Sequence, residues 1–235
     1  MQKRILLSLS QSLTLYLTLS FAFTSALALL LPLSAQTAEA AQPQLKRSVV
    51  LDNLSSPWDI AFTPDGVMFF TEKCRGLSVR QPNGKVAFLF GEEGAALPAK
   101  DLFCEGQSGI TGVTLDPDFN KNRTLYVYMS SNLSKNPRTN RVVRLKVDEN
   151  FSRVSERKDI ITDIDYKNVG NAWGGPGAHS GGRLRFGPDG FLYVPTGDNH
   201  NGPLPQDPRR LGGKVLRVNR DGKAAPGNKT PEGGD

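Results

Sequence analysis

LRFGPDGFLYVPT, residues 184–196, reads as strand, turn, strand. Apolar Leu184, Phe186, Leu192 and Val194 are spaced to fill one face of a pleated pair. Pro188 arrives at the turn with φ already set, and Gly190 supplies the positive φ that closes a tight hairpin. The phrase is not alone. IAFTPDGVMFFTE (60–72) is a second copy. VTLDPDF (113–119) followed by LYVYM (125–129) is a third, with Phe119 where the others place Gly.

Working outward, each copy is followed by further strand candidates: 76–80 with 86–90, then 142–147 with 160–164, then 215–219. Gly, Pro, Asn and Asp separate them, and no useful length of helical periodicity appears. A unit of about four strands repeated along the chain predicts the blades of a β-propeller, an all-β fold. The turn prolines at 64, 117 and 188 are 53 and 71 residues apart, which predicts inserted loops at 91–108, 130–140 and 165–180. About three blades are fewer than the roughly four to eight that close a ring. The chain finishes on the turn-rich APGNKTPEGGD (225–235). The expectation is therefore an incomplete propeller, with a complete β-sandwich as the rival.

The start of the chain has a different grammar. Lys3 and Arg4 precede a Leu-rich run without charge from Ile5 to Thr37, and Ala38-Glu39-Ala40 follows. This predicts a signal peptide over 1–40, cut after Ala40 or, earlier, after Ala35. A retained anchor is the alternative, since the run exceeds the ~20 residues that span a bilayer. Residues 41–47 read as a linker and 48–235 as the partial propeller domain. The protein is then exported, to a bacterial periplasm or beyond, with no stable membrane insertion after cleavage. Its formal charge of +6 becomes +5 without Lys3, Arg4 and Glu39. The cations are scattered and not interleaved with aromatics, which argues against nucleic acid. Cys74 and Cys104 are the only cysteines, and no CxxC pattern occurs. In an exported chain they predict one structural disulfide, with two separate buried thiols as the alternative.

The hairpin repeat also offers a site, with a polar loop residue at His179 and a turn cap at Asp198 as the alternative. His179 enters the third repeat and Asp198 leaves its second strand, so both lie at the open ends of one hairpin. A carboxylate beside an imidazole fixes its tautomer and lets it act as a general base. Gly181 and Gly182 leave room for a flat ligand at the backbone. Arg183 and Lys214 read as structural braces, and His200 as a loop residue, with a place in the same cleft as Asp198 the alternative. Asp116, Asp118 and Asn120 alternate like calcium ligands but lack the Gly and distal Glu of an EF-hand loop, so turn capping is the better reading.

Several segments, in order, carry a resemblance. HSGGRL (179–184), PDGFLY (188–193), TGD (196–198) and LGGKVLR (211–217) are joined by PWDIAF (57–62) and GQSGITGV (106–113). Over residues 48–228 the chain resembles the soluble quinoprotein sugar dehydrogenases of the glucose/sorbosone dehydrogenase family. The resemblance implies a six-bladed propeller that binds pyrroloquinoline quinone (PQQ) and calcium and oxidises the anomeric carbon of an aldose to a lactone. It makes His179 the base that takes the hydroxyl proton as hydride passes to the quinone. It makes Asp198 the group that orients His179, and Gln107 a substrate-binding residue. Ala178 stands where glucose-oxidising members carry an acidic residue, and NHNGPLPQDP (199–208) also departs from them. Both point to the aldose sugar dehydrogenase-like branch. The resemblance places most ligands of PQQ and calcium, with a Gly-His-Arg-Asn segment, beyond Asp235. The alternatives are a non-catalytic propeller module and a calcium-dependent propeller lactonase. Sugar, electron acceptor and oligomeric state are not encoded in any pattern found.

Overall fold

The three predicted hairpins form, and their turns show why. In the computed structural model, which describes residues 44–133, 138–168, 174–229 and 232–234, Gly66 N–H donates to Thr63 O (3.0 Å) and Gly190 N–H to Gly187 O (3.0 Å). Both glycines adopt positive φ, +86° and +76°. Lacking that glycine, the second repeat turns differently. Phe119 N–H donates to Asp116 O (2.9 Å), the chain makes one helical turn over Phe119–Asn122, and Arg123 closes it in the left-handed conformation.

The strands fall into three sheets. The first is an antiparallel meander of β1 (Pro57–Phe62), β2 (Met68–Glu72), β3 (Gly76–Arg80) and β4 (Val86–Gly91). A two-residue strand, β5 (Leu97–Pro98), adds to β4 in parallel. The second sheet holds β6 (Ile110–Leu115), β7 (Thr124–Ser131), β8 (Thr139–Val147) and β9 (Val154–Ile164). The third holds β10 (Arg185–Phe186), β11 (Leu192–Pro195) and β12 (Val215–Val218). These are the blades of a β-propeller, each running in sequence order across its sheet. Two expectations change. Ser130, Ser131, Thr139 and Asn140 are paired strand residues, so the loop expected at 130–140 is shorter. The strand expected at 160–164 starts at Val154, because three register shifts let it follow β8 despite its polar content.

Residues 50–235 form one compact unit. The middle sheet explains its core. Along β7, Leu125, Val127 and Met129 face the first sheet, in one cluster with Phe69, Leu77, Leu89 and Val143. Tyr126 and Tyr128 face the other way, with Ile164, Leu184, Leu192 and Val194. A strand buried on both faces cannot alternate apolar with polar, so LYVYM is a continuous apolar run. Each such side chain contributes roughly 1.5–3 kcal/mol by leaving water.

The residues before this unit, 44–49, are exposed and without regular structure. The predicted signal peptide (1–40) lies outside the described residues, as do 134–137 and 169–173 within two of the predicted loops. Among the described residues no helix is long and apolar enough to cross a membrane.

Candidate functional site

The inner strands of the three blades meet at one carboxylate. Asp59 of β1 is buried, with only 1% of its side chain exposed. It accepts from Val113 N–H of β6 (3.2 Å), from Arg183 (2.7 Å) and from Arg185 of β10 (2.9 and 3.0 Å). Arg183 therefore serves as a brace, and its guanidinium also lies over the Trp58 ring, 4.7 Å from its centre. Asp116 does the same farther along. It bonds Asp118 N–H and the Asn122 amide within its own turn, and Arg220 from the third blade at 3.0 Å. It caps a turn and ties two blades together.

At the other end of the third hairpin the regular ladder thins out. β10 pairs with β11 over only Arg185↔Tyr193 and Phe186↔Leu192, and an isolated bridge joins Gly181 to Thr196. Gly182 N–H donates to Pro195 O (2.8 Å) and Gly197 N–H to Ser180 O (3.2 Å). This keeps residues 179–182 beside 195–198. The approach demands glycine at 197, where a Cβ would lie 1.5 Å from His179 O. Gly181 and Gly182 have another purpose than the one expected of them. A Cβ at Gly182 would press on Thr111 Oγ1 and Tyr128 Cδ1, each at 2.6 Å, and one at Gly181 on Pro195 O at 2.6 Å. Their missing side chains make room for the protein itself, not for a flat ligand.

His179 and Asp198 meet at that end, with His179 Nδ1 2.8 Å from Asp198 Oδ1. The hydrogen bond from His179, joined by one from His200 N–H (3.1 Å), holds the Asp198 carboxyl below the ordinary carboxylate range. An ionised carboxylate can only accept, so the Nδ1 carries the proton, and in the neutral ring it is Nε2 that keeps the lone pair. The pair is open to solvent, with 49% of the His179 side chain and 41% of Asp198 exposed. His179 itself sits at φ +53°, a backbone conformation costly for a non-glycine residue.

Gln107 comes to the same place from the loop between β5 and β6. Its Oε1 accepts from His179 N–H at 3.3 Å. Its loop is held from two sides. Cys104, three residues earlier, is joined by a disulfide to Cys74, with Cα atoms 5.3 Å apart. Gln107 N–H donates to Pro176 O (3.0 Å). Below them, Tyr128 O–H donates to Ser180 O (2.8 Å), and Ser180 Oγ donates to Gly177 O (2.7 Å). Ser130 Oγ donates to Asn140 Oδ1 (2.7 Å), whose amide reaches Asp165 O (2.7 Å). A layer of buried polar side chains from β7 and β8 thus carries the site loop.

His200 lies in a turn, as expected, and of the two readings of its side chain the one pointing into the cleft is found. Its ring stacks on that of His179, with centroids 3.6 Å apart and planes 25° apart. The spacing of two after Asp198 was visible in the sequence. The turn that folds the ring back was not.

Residues 54–234 match the Glucose / Sorbosone dehydrogenase family. The chain belongs to that family. It is 26% identical over 187 residues to the aldose sugar dehydrogenase YliI of Escherichia coli (strain K12), covering 78% of this chain and 46% of that protein. It is 29% identical over 222 residues to quinoprotein glucose dehydrogenase B of Acinetobacter calcoaceticus, covering 85% and 44%. The solved PQQ-bound form of aldose sugar dehydrogenase from Streptomyces coelicolor superposes with a TM-score of 0.64 at 30% identity, covering 78% of this chain and 50% of that one. The chain spans about half the length of the relatives it matches.

The residues present fit one part of a quinoprotein sugar site. His179, Asp198 and Gln107 bring together an imidazole, a carboxylate bonded to it and an amide. A tricarboxylate cofactor also needs cationic partners, and the two considered from sequence are engaged elsewhere. Arg183 holds Asp59, and Lys214 Nζ donates to Leu204 O (3.2 Å) and Gly212 O (3.0 Å). Neither Arg183 nor Lys214 is thus left free for a cofactor carboxylate. Among the described residues no three His, Cys, Asp or Glu side chains gather in a way that could hold a metal ion. The groove of about 450 Å³ between Ile161, Leu211, Val215 and Ala224 is lined by none of the site residues.

Proposed function

We propose that this chain serves the PQQ-dependent oxidation of an aldose at its anomeric carbon to the lactone. The observation that carries the reading is the His179 Nδ1–Asp198 Oδ1 contact of 2.8 Å with Nε2 left open. PQQ, when bound, supplies the two-electron acceptor. The chain's own part is the proton. With Nδ1–H committed to Asp198, the exposed Nε2 takes the proton of the anomeric hydroxyl, and Asp198 stabilises the imidazolium that results. Gln107, within reach of the His179 backbone, offers its amide N–H₂ to a sugar oxygen. Calcium belongs to the same proposal through the family, with its ligands outside the described residues. So does export, which N-terminal sequencing of the mature protein would support by starting after Ala40.

The test is turnover of the full chain with PQQ, calcium, a panel of aldoses and an artificial electron acceptor. Wild-type activity that falls on the order of 100-fold or more in His179→Ala supports the assignment. Near-normal turnover in that variant removes His179 from the chemistry. A second reading, a propeller module that holds no cofactor, is favoured by the engagement of Arg183 and Lys214 with protein groups. Titration with PQQ separates the two, since absence of binding supports the module.

A further inference from the structure

His179 is held on one side by Asp198, but a single hydrogen bond leaves an exposed imidazole free to swing about it. The other constraint is the ring of His200, stacked at 3.6 Å. The chain accepts local strain to put it there. Asn199 and His200 are consecutive non-glycine residues at φ +54°, each in the left-handed region. Such conformations are costly for non-glycine residues and persist where the surroundings over-determine them. Here they do. His200 N–H donates to Asp198 Oδ1, the same oxygen that receives His179 Nδ1–H. The absence of a side chain at Gly174 makes room for the ring edge, since a Cβ there would lie 2.7 Å from His200 Nε2.

We propose that His200 is a positioning residue, whose ring clamps the His179 imidazole against Asp198 and keeps Nε2 aimed at the substrate hydroxyl. The clamp rests on the base role proposed above. Its chemistry suits the task. A neutral ring stacks on the imidazolium formed in turnover without repelling it, whereas a charged one would. Partial loss of water, then the nearby charges of His179 and Lys167, push the His200 ring below the ordinary histidine range, against a weaker opposite pull from Asp198. It is thereby kept neutral where an ordinary histidine begins to charge.

Two readouts test this, and only one needs turnover. In the full chain with ¹⁵N,¹³C-labelled histidine, His179 should show the Nδ1-protonated tautomer, with ring protons shifted by the stacked neighbour. His200→Ala should lose that shift and average the tautomers. His200→Phe, which keeps a flat ring, should retain a single tautomer. In the oxidation assay His200→Ala should lower kcat about tenfold with KM little changed, as misalignment of a base does. His200→Phe should recover most of that loss. A His179 ring that keeps one tautomer and one orientation in His200→Ala overturns the proposal. So does unchanged kcat in that variant once the ring has been released. If wild type oxidises no aldose while His200→Ala frees the ring, the clamp stands and the sugar-oxidation reading alone falls.

Discussion

The second and third blades begin from the same Pro-Asp hairpin and end very differently. In the second, β7 and β8 pair over eight consecutive positions, from Thr124↔Lys146 to Ser131↔Thr139, and both faces are buried. In the third, β10 pairs over two positions, and the chain before it runs through Gly181, Gly182 and a left-handed His179. The regular blade is where stability resides. The irregular one is where side chains are aimed. A continuous ladder stands its side chains off the sheet faces and leaves no freedom to fold the His200 ring flat onto that of His179. Breaking the ladder gives that freedom, and the buried neighbour supplies the rigidity the broken strand lacks.

The most direct way to break this comparison is to remove equal side chains from both blades. Leu125→Ala, at a fully buried position of β7, should cost about 3 kcal/mol in chemical denaturation. Leu216→Ala, half-buried on β12, should cost about 1 kcal/mol. Equal losses would mean that the third blade is as much a part of the cooperative core as the second.

The disulfide sharpens the contrast from the side of the first blade. Cys74 and Cys104 enclose the sequence up to the loop that presents Gln107. Replacing both with Ser should cost about 2–3 kcal/mol and loosen Gln107 from His179. Alkylation of the unreduced chain followed by mass spectrometry should label neither cysteine. Two labelled thiols would rule the bridge out.

Tyr128 joins the two regions directly, since its hydroxyl reaches from the buried ladder to Ser180 O beside the site. Tyr128→Phe should cost roughly 1 kcal/mol, the worth of one buried hydrogen bond, plus part of the penalty for the carbonyl left unpaired. Because the lost bond is next to His179, turnover should fall as well. A stability loss with unchanged turnover would show that the ladder does not hold the site loop.

What could be read in the sequence follows the reach of each interaction. Pro64-Asp65-Gly66 and Pro188-Asp189-Gly190 announce their turns because φ preferences act within a few residues. LYVYM announces a strand buried on both faces because the apolar run is unbroken. His179 and Asp198 could be paired in advance because hairpin ends return to each other. Asp59 with Arg183 and Arg185 could not, since 124 and 126 residues separate partners that meet only once blades stack. The His200 stack stayed hidden for a different reason. It depends on two successive left-handed residues, and neither Asn nor His demands that conformation. Gly181 and Gly182 misled because a missing side chain looks the same in sequence whether a ligand or a tyrosine fills the space.

The smallest effect expected concerns acid. Asp198 is held below the ordinary value of 3.8 by the His179 hydrogen bond first and the His200 N–H second. A depressed carboxyl favours the folded state above its unfolded value, and that contribution is lost as pH falls through the folded one. The window thus opens near 3.8 and extends downward. Its share of stability is slight, at most a few tenths of a kcal/mol for a pair this exposed. Carboxyl ¹³C titration of the full chain should therefore find the Asp198 midpoint below 3.8, with the His179–Asp198 contact intact throughout the range where sugar oxidation would be assayed. A midpoint at or above that value would mean that the two hydrogen bonds are not formed in solution. The irregular blade would then lack the order that its strained turns imply. The control is Asp101, tied to the regular blade through Arg157 and Ser131, whose bonds lower it and outweigh its burial. If Asp101 titrates low and Asp198 does not, the buried ladder is ordered as described and the site above it is not.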